Sequence, residues 1–120
     1  MYNEIIDLFE RYGFTVDQVG ERSYVAKHTG TGYAVVFSPY ITHGRCEATA
    51  VTYLMDDIED VIREYKQFSD HSWDTIGAMA YNPRSNSVMK TARYPGGLYN
   101  HDYNSWEIER WLTHIQNGGI

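Results

Sequence analysis

Between Phe14 and Leu54 the chain meets turn-forming sequence every few residues, and that rhythm restricts it to short strands joined by hairpins. Gly20-Glu21-Arg22 separates a roughly alternating stretch, Phe14 to Val19, from a second segment, Ser23 to His28. Thr29-Gly30-Thr31-Gly32 then leads into Tyr33-Ala34-Val35-Val36-Phe37, a run apolar throughout and suited to a buried strand, which Pro39 ends. After a loop through His43 and Gly44, Cys46 to Leu54 gives a longer strand with Thr and Val at alternating sites. The four strands read as an antiparallel meander.

Helices flank it. Asn3 suits the N-cap of a helix whose Ile5, Leu8, Phe9 and Tyr12 follow the i, i+3, i+4, i+7 spacing. Gly13 stops that helix, because a helix often ends on a residue at positive φ, and Phe14 is the apolar residue usual after such a cap. Asp56 and Asp57 open a second helix with an inward stripe of Ile58, Val61, Ile62, Tyr65 and Phe68. Asp57 with Asp60, or Asp56 with Glu59, resembles a capping box, and carboxylates in a first turn suit the helix dipole. A last helix is capped by Asn104 with Glu107 three residues on, and turns Ile108, Trp111, Leu112 and Ile115 inward.

Thr75 to Tyr81 and Ser87 to Tyr94 form a hairpin across the loop Asn82-Pro83-Arg84-Ser85-Asn86. Pro95 to Asn104 reads as irregular. The order is therefore helix, four strands, helix, two strands, helix. No strand–helix–strand unit carries a nucleotide fingerprint. The expected class is α+β: an antiparallel sheet, a meander of four strands plus a hairpin, with three helices packed on it, in one domain over residues 1–120.

Charge is segregated along this frame. Residues 1–74 hold 13 Asp/Glu against 6 Lys/Arg, while residues 75–101 hold Arg84, Lys90 and Arg93 with no carboxylate. The net charge of −6 opposes direct binding of a polyanion and favours partners with basic surfaces. Asp56, Asp57, Asp60 and Glu64 share an exposed helix face by their spacing, and a carboxylate row there can imitate a row of phosphates. With Glu4, Asp7 and Glu10 of the first helix they would make an acidic docking wall. The eleven tyrosines add rings of the kind found at core edges and recognition surfaces.

The basic segment offers another site. Arg84, Lys90 and Arg93 lie among Tyr94, Tyr99, His101 and Tyr103, a mixture suited to stacking on and neutralising a small anionic ligand such as a nucleotide. A third possibility is an enzyme with a dispersed His/Asp site drawing on His43, His71 and His101. No specific motif supports it. Asp70, His71 and Asp74, and the pair His101-Asp102, lack the spacing that places two ligands on one metal, so neither metal nor cofactor is expected. Cys46, three residues after His43, reads as a small buried residue. Gly30 and Gly32 are followed by a strand where a dinucleotide site needs a helix, and the third glycine is missing, so a hairpin turn accounts for them.

The lone cysteine, the N-terminus without a basic or long apolar leader and the absence of an 18-residue apolar run point to a cytoplasmic protein that does not span a membrane. In size, acidity and lack of catalytic motifs the whole chain resembles small phage-encoded inhibitors of host defence, anti-CRISPR proteins in particular. The likeness is one of profile, carried by no residue motif, and it transfers no site residues. It implies an inhibitor in the host cytoplasm that blocks a nucleic-acid-binding protein by presenting its acidic face.

Overall fold

The computed structural model describes residues 3–42, 45–63, 80–82, 84–85, 87–89, 97–98 and 101–118. Helix α1 spans Glu4–Arg11, and the Asn3 side chain accepts from the amides of Ile5 and Ile6 at its start. The same Asn3 donates its Nδ2 to the Pro39 carbonyl at 2.7 Å, so one residue caps a helix and pins a strand end. At the other end Gly13 takes φ +88°. The Phe14 amide reaches back to the Phe9 carbonyl and the Gly13 amide to that of Glu10, a Schellman closure. Phe9 and Phe14 meet edge-on at 5.4 Å, the apolar contact that goes with it.

Strands β1 (Thr15–Gln18), β2 (Tyr24–His28), β3 (Tyr33–Ser38), β4 (Ile41–Thr42) and β5 (Arg45–Leu54) follow, and the expected meander is present. Pro39 interrupts pairing as its missing N–H requires, but does not end it. Ser38 pairs with Thr49, and beyond the break Ile41 pairs with Cys46 in unchanged register. Helix α2 (Ile58–Arg63) is entered through a turn closed by the Asp57 amide on the Leu54 carbonyl. Strands β6 (Ala80–Asn82) and β7 (Ser87–Met89) form the hairpin as a separate two-stranded sheet, with Asn82 paired to Ser87.

The stretch before Asn104, expected to be irregular, contains strand β8 (His101–Asn104). It lies along the far side of β5: Ala50 faces Phe37 on one side and His101 on the other. Leu98 extends this attachment, donating its amide to Thr52 Oγ1 at 2.7 Å and accepting the Thr52 amide at 2.9 Å. Helix α3 (Ser105–Gln116) follows, with the expected capping box closed in both directions between Asn104 and Glu107.

The apolar run of β3 is explained by helices on both faces of the sheet. Val35 and Phe37 point to one face, with Ile5, Leu8 and Phe9 of α1 and Ile108, Trp111, Leu112 and Ile115 of α3. Ala34 and Val36 point to the other, with Val25, Val51, Tyr53 and Ile58 of α2. Tyr65 and Phe68 of the expected α2 stripe lie outside the described residues. No helix among the described residues is long and apolar enough to cross a membrane.

Candidate functional site

The two-sided burial of the sheet decides where charges can gather. Asp56, Asp57, Glu59 and Asp60 are exposed at the turn into α2, on one side of the sheet. The carboxylates of α1 belong to the opposite side, since α1 packs against the other face. The continuous acidic wall expected from Glu4, Asp7 and Glu10 together with α2 is therefore not formed. Helices that cover opposite faces of one sheet cannot present a common surface.

The chain's own cations also meet part of this charge. Arg63 pairs with Asp60 one turn along α2, and Lys27 of β2 reaches Glu59 at 3.1 Å. Arg11 likewise holds Asp7 at 2.9 Å. Among the described residues, these contacts meet two of the four exposed carboxylates, Glu59 and Asp60. Glu64 lies outside the described residues.

Of the proposed anionic-ligand segment, Lys90, Arg93, Tyr94, Tyr99 and the candidate metal residues Asp70, His71 and Asp74 lie outside the described residues, as does His43. His101 is placed in β8 opposite Ala50 and Cys46 in β5 opposite Ile41. Two members of the segment are used by the fold. Tyr103 is 3% exposed and belongs to the main core instead of a ligand surface. Arg84, in the β6–β7 loop, pairs through Nε with Glu107, whose carboxylate is buried and which also serves the α3 cap. That contact raises the guanidinium pKa further, against the lowering effect of desolvation. Among the described residues no three His, Cys, Asp or Glu groups lie close enough to hold a metal ion.

One surface remains that the sequence reading passed over. Trp106, Arg110 and Thr113 of α3 and its C-cap Asn117 recur at spacings of three and four, on the side opposite Ile108, Trp111 and Leu112. With Glu109, His114 and Tyr12 from the end of α1 they line an open groove of about 690 Å³. Trp106 is 57% exposed and Arg110 sits over its ring at 5.2 Å. Thr113 donates its hydroxyl to the Glu109 carbonyl at 2.9 Å, which leaves Tyr12 as the donor in its 3.1 Å contact with Thr113 Oγ1. The Tyr12 hydroxyl is thereby anchored on α3 at Thr113. Burial lowers the His114 pKa below its ordinary value, so the ring is neutral at pH 7. The signal for this site was in the sequence: a Trp with Arg four residues on, both out of phase with the buried stripe.

Elsewhere on the surface Tyr24 and Tyr40 meet edge-on at 6.4 Å beneath Arg22, whose guanidinium lies 4.2 Å from the Tyr40 ring centre. The hydrogen bond to Tyr40 is the main cause that raises the Tyr24 hydroxyl pKa. No family model, no curated protein and no solved structure matches this chain.

Proposed function

We propose that this chain is a cytoplasmic protein-binding domain that docks a partner in the α3 groove. The observation that carries the reading is Trp106, a large apolar ring left 57% exposed beneath the Arg110 guanidinium, in a groove that Tyr12 also lines. Trp, Tyr and Arg are the residue types that dominate binding energy at protein interfaces, and exposing an indole otherwise forgoes favourable burial. The groove stands on two packed helices, so its side chains are held before a partner arrives and lose little freedom on docking. The test is affinity capture from a nuclease-treated cell lysate with wild type and Trp106→Ala in parallel. A partner retained by wild type and lost with the variant supports the reading; equal recovery overturns it.

A second reading is supported by the exposed carboxylates Asp56, Asp57, Glu59 and Asp60. Here the domain meets a basic, nucleic-acid-binding surface and blocks it, in the manner of the anti-CRISPR-like inhibitors whose profile the sequence resembles. Exposed carboxylates of this kind favour a cationic partner and make the contact salt-sensitive. Reversing Asp56 and Asp57 together to Lys then weakens capture and removes its dependence on ionic strength. Capture unchanged in both respects counts against this second surface.

A further inference from the structure

Apart from the α3 groove, we infer that the free edge of β1 docks an extended, basic segment of another protein, which joins the sheet as a strand with Lys or Arg opposite Asp17. Among the described residues β1 is the outermost strand of the sheet, and none of its residues lines the groove. Its sequence, Thr15-Val16-Asp17-Gln18, pairs with β2 in unbroken register, with no proline or bulge of the kind that closes an edge to further strands. Thr15, Asp17 and Gln18 are exposed, and Val16 is half-buried against the main core.

Hydrogen bonding identifies the open groups. The Val19 amide donates to the Ser23 carbonyl at 2.9 Å, and successive antiparallel pairs alternate between bonded and unbonded. Asp17 and Thr15, two and four residues before Val19, therefore bond to Val25 and Lys27 of β2, and Val16 and Gln18 turn their N–H and C=O outward. Phe14 is next in that outward series, and its amide is taken by the Phe9 carbonyl at 3.1 Å. Among the described residues nothing takes those of Val16 and Gln18. Their two donors and two acceptors lie about 7 Å apart along the strand, at roughly 3.4 Å per residue, and an extended backbone presents the same alternation.

Charge selects the occupant. A second copy that uses all four groups sets Val16 opposite its Gln18 and Asp17 opposite its Asp17. That central pair is of the unbonded kind, with Cα atoms about 4.5 Å apart, and like charges directly opposite repel. The net charge of −6 adds to the repulsion between copies. A cation at the same central position is attracted instead. Among the described residues no cation meets Asp17, and Lys27, on the same face of the sheet, already holds Glu59. The residue opposite Val16 lies on the other face, where an apolar side chain extends the edge of the core.

The experiment is a titration of isotopically labelled protein with the capped peptide Thr-Thr-Val-Lys-Val-Thr-Thr and its counterpart with Glu in place of Lys. Amide hydrogen exchange is expected to slow at Val16 and Gln18, and to change little at Thr15 and Asp17, whose bonds already go to β2. The Lys peptide binds about fivefold more tightly than the Glu peptide, and salt narrows the difference. Asp17→Lys, a change at an exposed position, reverses the preference, whereas Trp106→Ala leaves it unaltered. No slowing at Val16 and Gln18 at roughly millimolar Lys peptide overturns the inference, as does equal affinity for the two peptides. Slowing of the same two amides with protein concentration alone assigns the edge to a second copy and also overturns it. Loss of peptide binding in Trp106→Ala moves the contact to the α3 groove, with the same consequence. Lysate capture through Trp106 is a separate readout, so the docking reading of the groove stands or falls independently of this edge.

Discussion

His28 shows how much of the structure rests on single contacts between neighbouring turns. Its ring stacks on Phe14 at 4.7 Å and accepts the Thr31 amide at Nδ1, which places the proton of the neutral ring on Nε2. Gly30 lies against that ring so closely that a Cβ there would stand 2.8 Å from His28 Cε1. Gly30 is therefore required for space, not for a left-handed backbone, and Gly30→Ala should cost about 1–3 kcal/mol by urea denaturation. In a His28→Ala background the same change should cost far less, and additivity in that double-mutant cycle would refute the contact. Asn3 invites a similar dissection. Asn3→Ala loses the cap and the bond to Pro39, together about 2 kcal/mol, whereas Asn3→Asp keeps the capping oxygen and loses only the donor to Pro39. Chemical denaturation of the two variants separates the two roles.

Elements whose ends are set locally were legible in the sequence, and those set by a distant partner were not. α1 and α3 carry their own start and stop signals in Asn3, Gly13, Asn104 and Glu107, and the structure uses each as the pattern implies. β8 carries no such signal. His101-Asp102-Tyr103-Asn104 has no apolar alternation, and it is a strand because β5 offers it an edge from Glu47 to Ala50. β4 was hidden for a different reason: Pro39 signals a stop, yet the register of β3 against β5 survives the break. The Leu98 attachment belongs to the same class of non-local structure. Thr52 is fully buried, so Thr52→Val leaves the Leu98 amide without its acceptor and should cost about 1–3 kcal/mol. Hydrogen exchange at Leu98 should quicken in that variant, while Thr52→Ser, which keeps the hydroxyl, should retain most of the protection.

At the scale of the whole molecule the governing fact is that helices cover both faces of one sheet. Glu4, Asp7, Glu10, Glu59 and Asp60 lie on helices as the pattern implies, whereas Asp56 and Asp57 fall in the turn before α2, and the sequence had no means of assigning those helices to faces, which is a property of topology. The outward side of α3 could have been found from phase alone, because Trp106 and Arg110 fall opposite Ile108 and Trp111 on a helical wheel. Stability of the whole fold should also depend on pH through His114. Its folded pKa lies below the ordinary 6.5, so between the two values the unfolded chain binds more protons than the native one. Native stability is accordingly undiminished above pH 6.5 and falls as the pH drops through that window. The groove places Glu109, Arg110 and Tyr12 near this ring, and none of them is altered in His114→Gln, whose melting temperature should decline less between pH 7 and 5 than that of the wild type. The layered build has a practical consequence too. Because Glu59 and Asp60 face away from Trp106 across the full thickness of the sheet, a surface tether or fluorophore attached there would orient the molecule with its tryptophan toward solution. An immobilised domain of this geometry would work as a directional sensor, reporting ligands at one pole while anchored by the other.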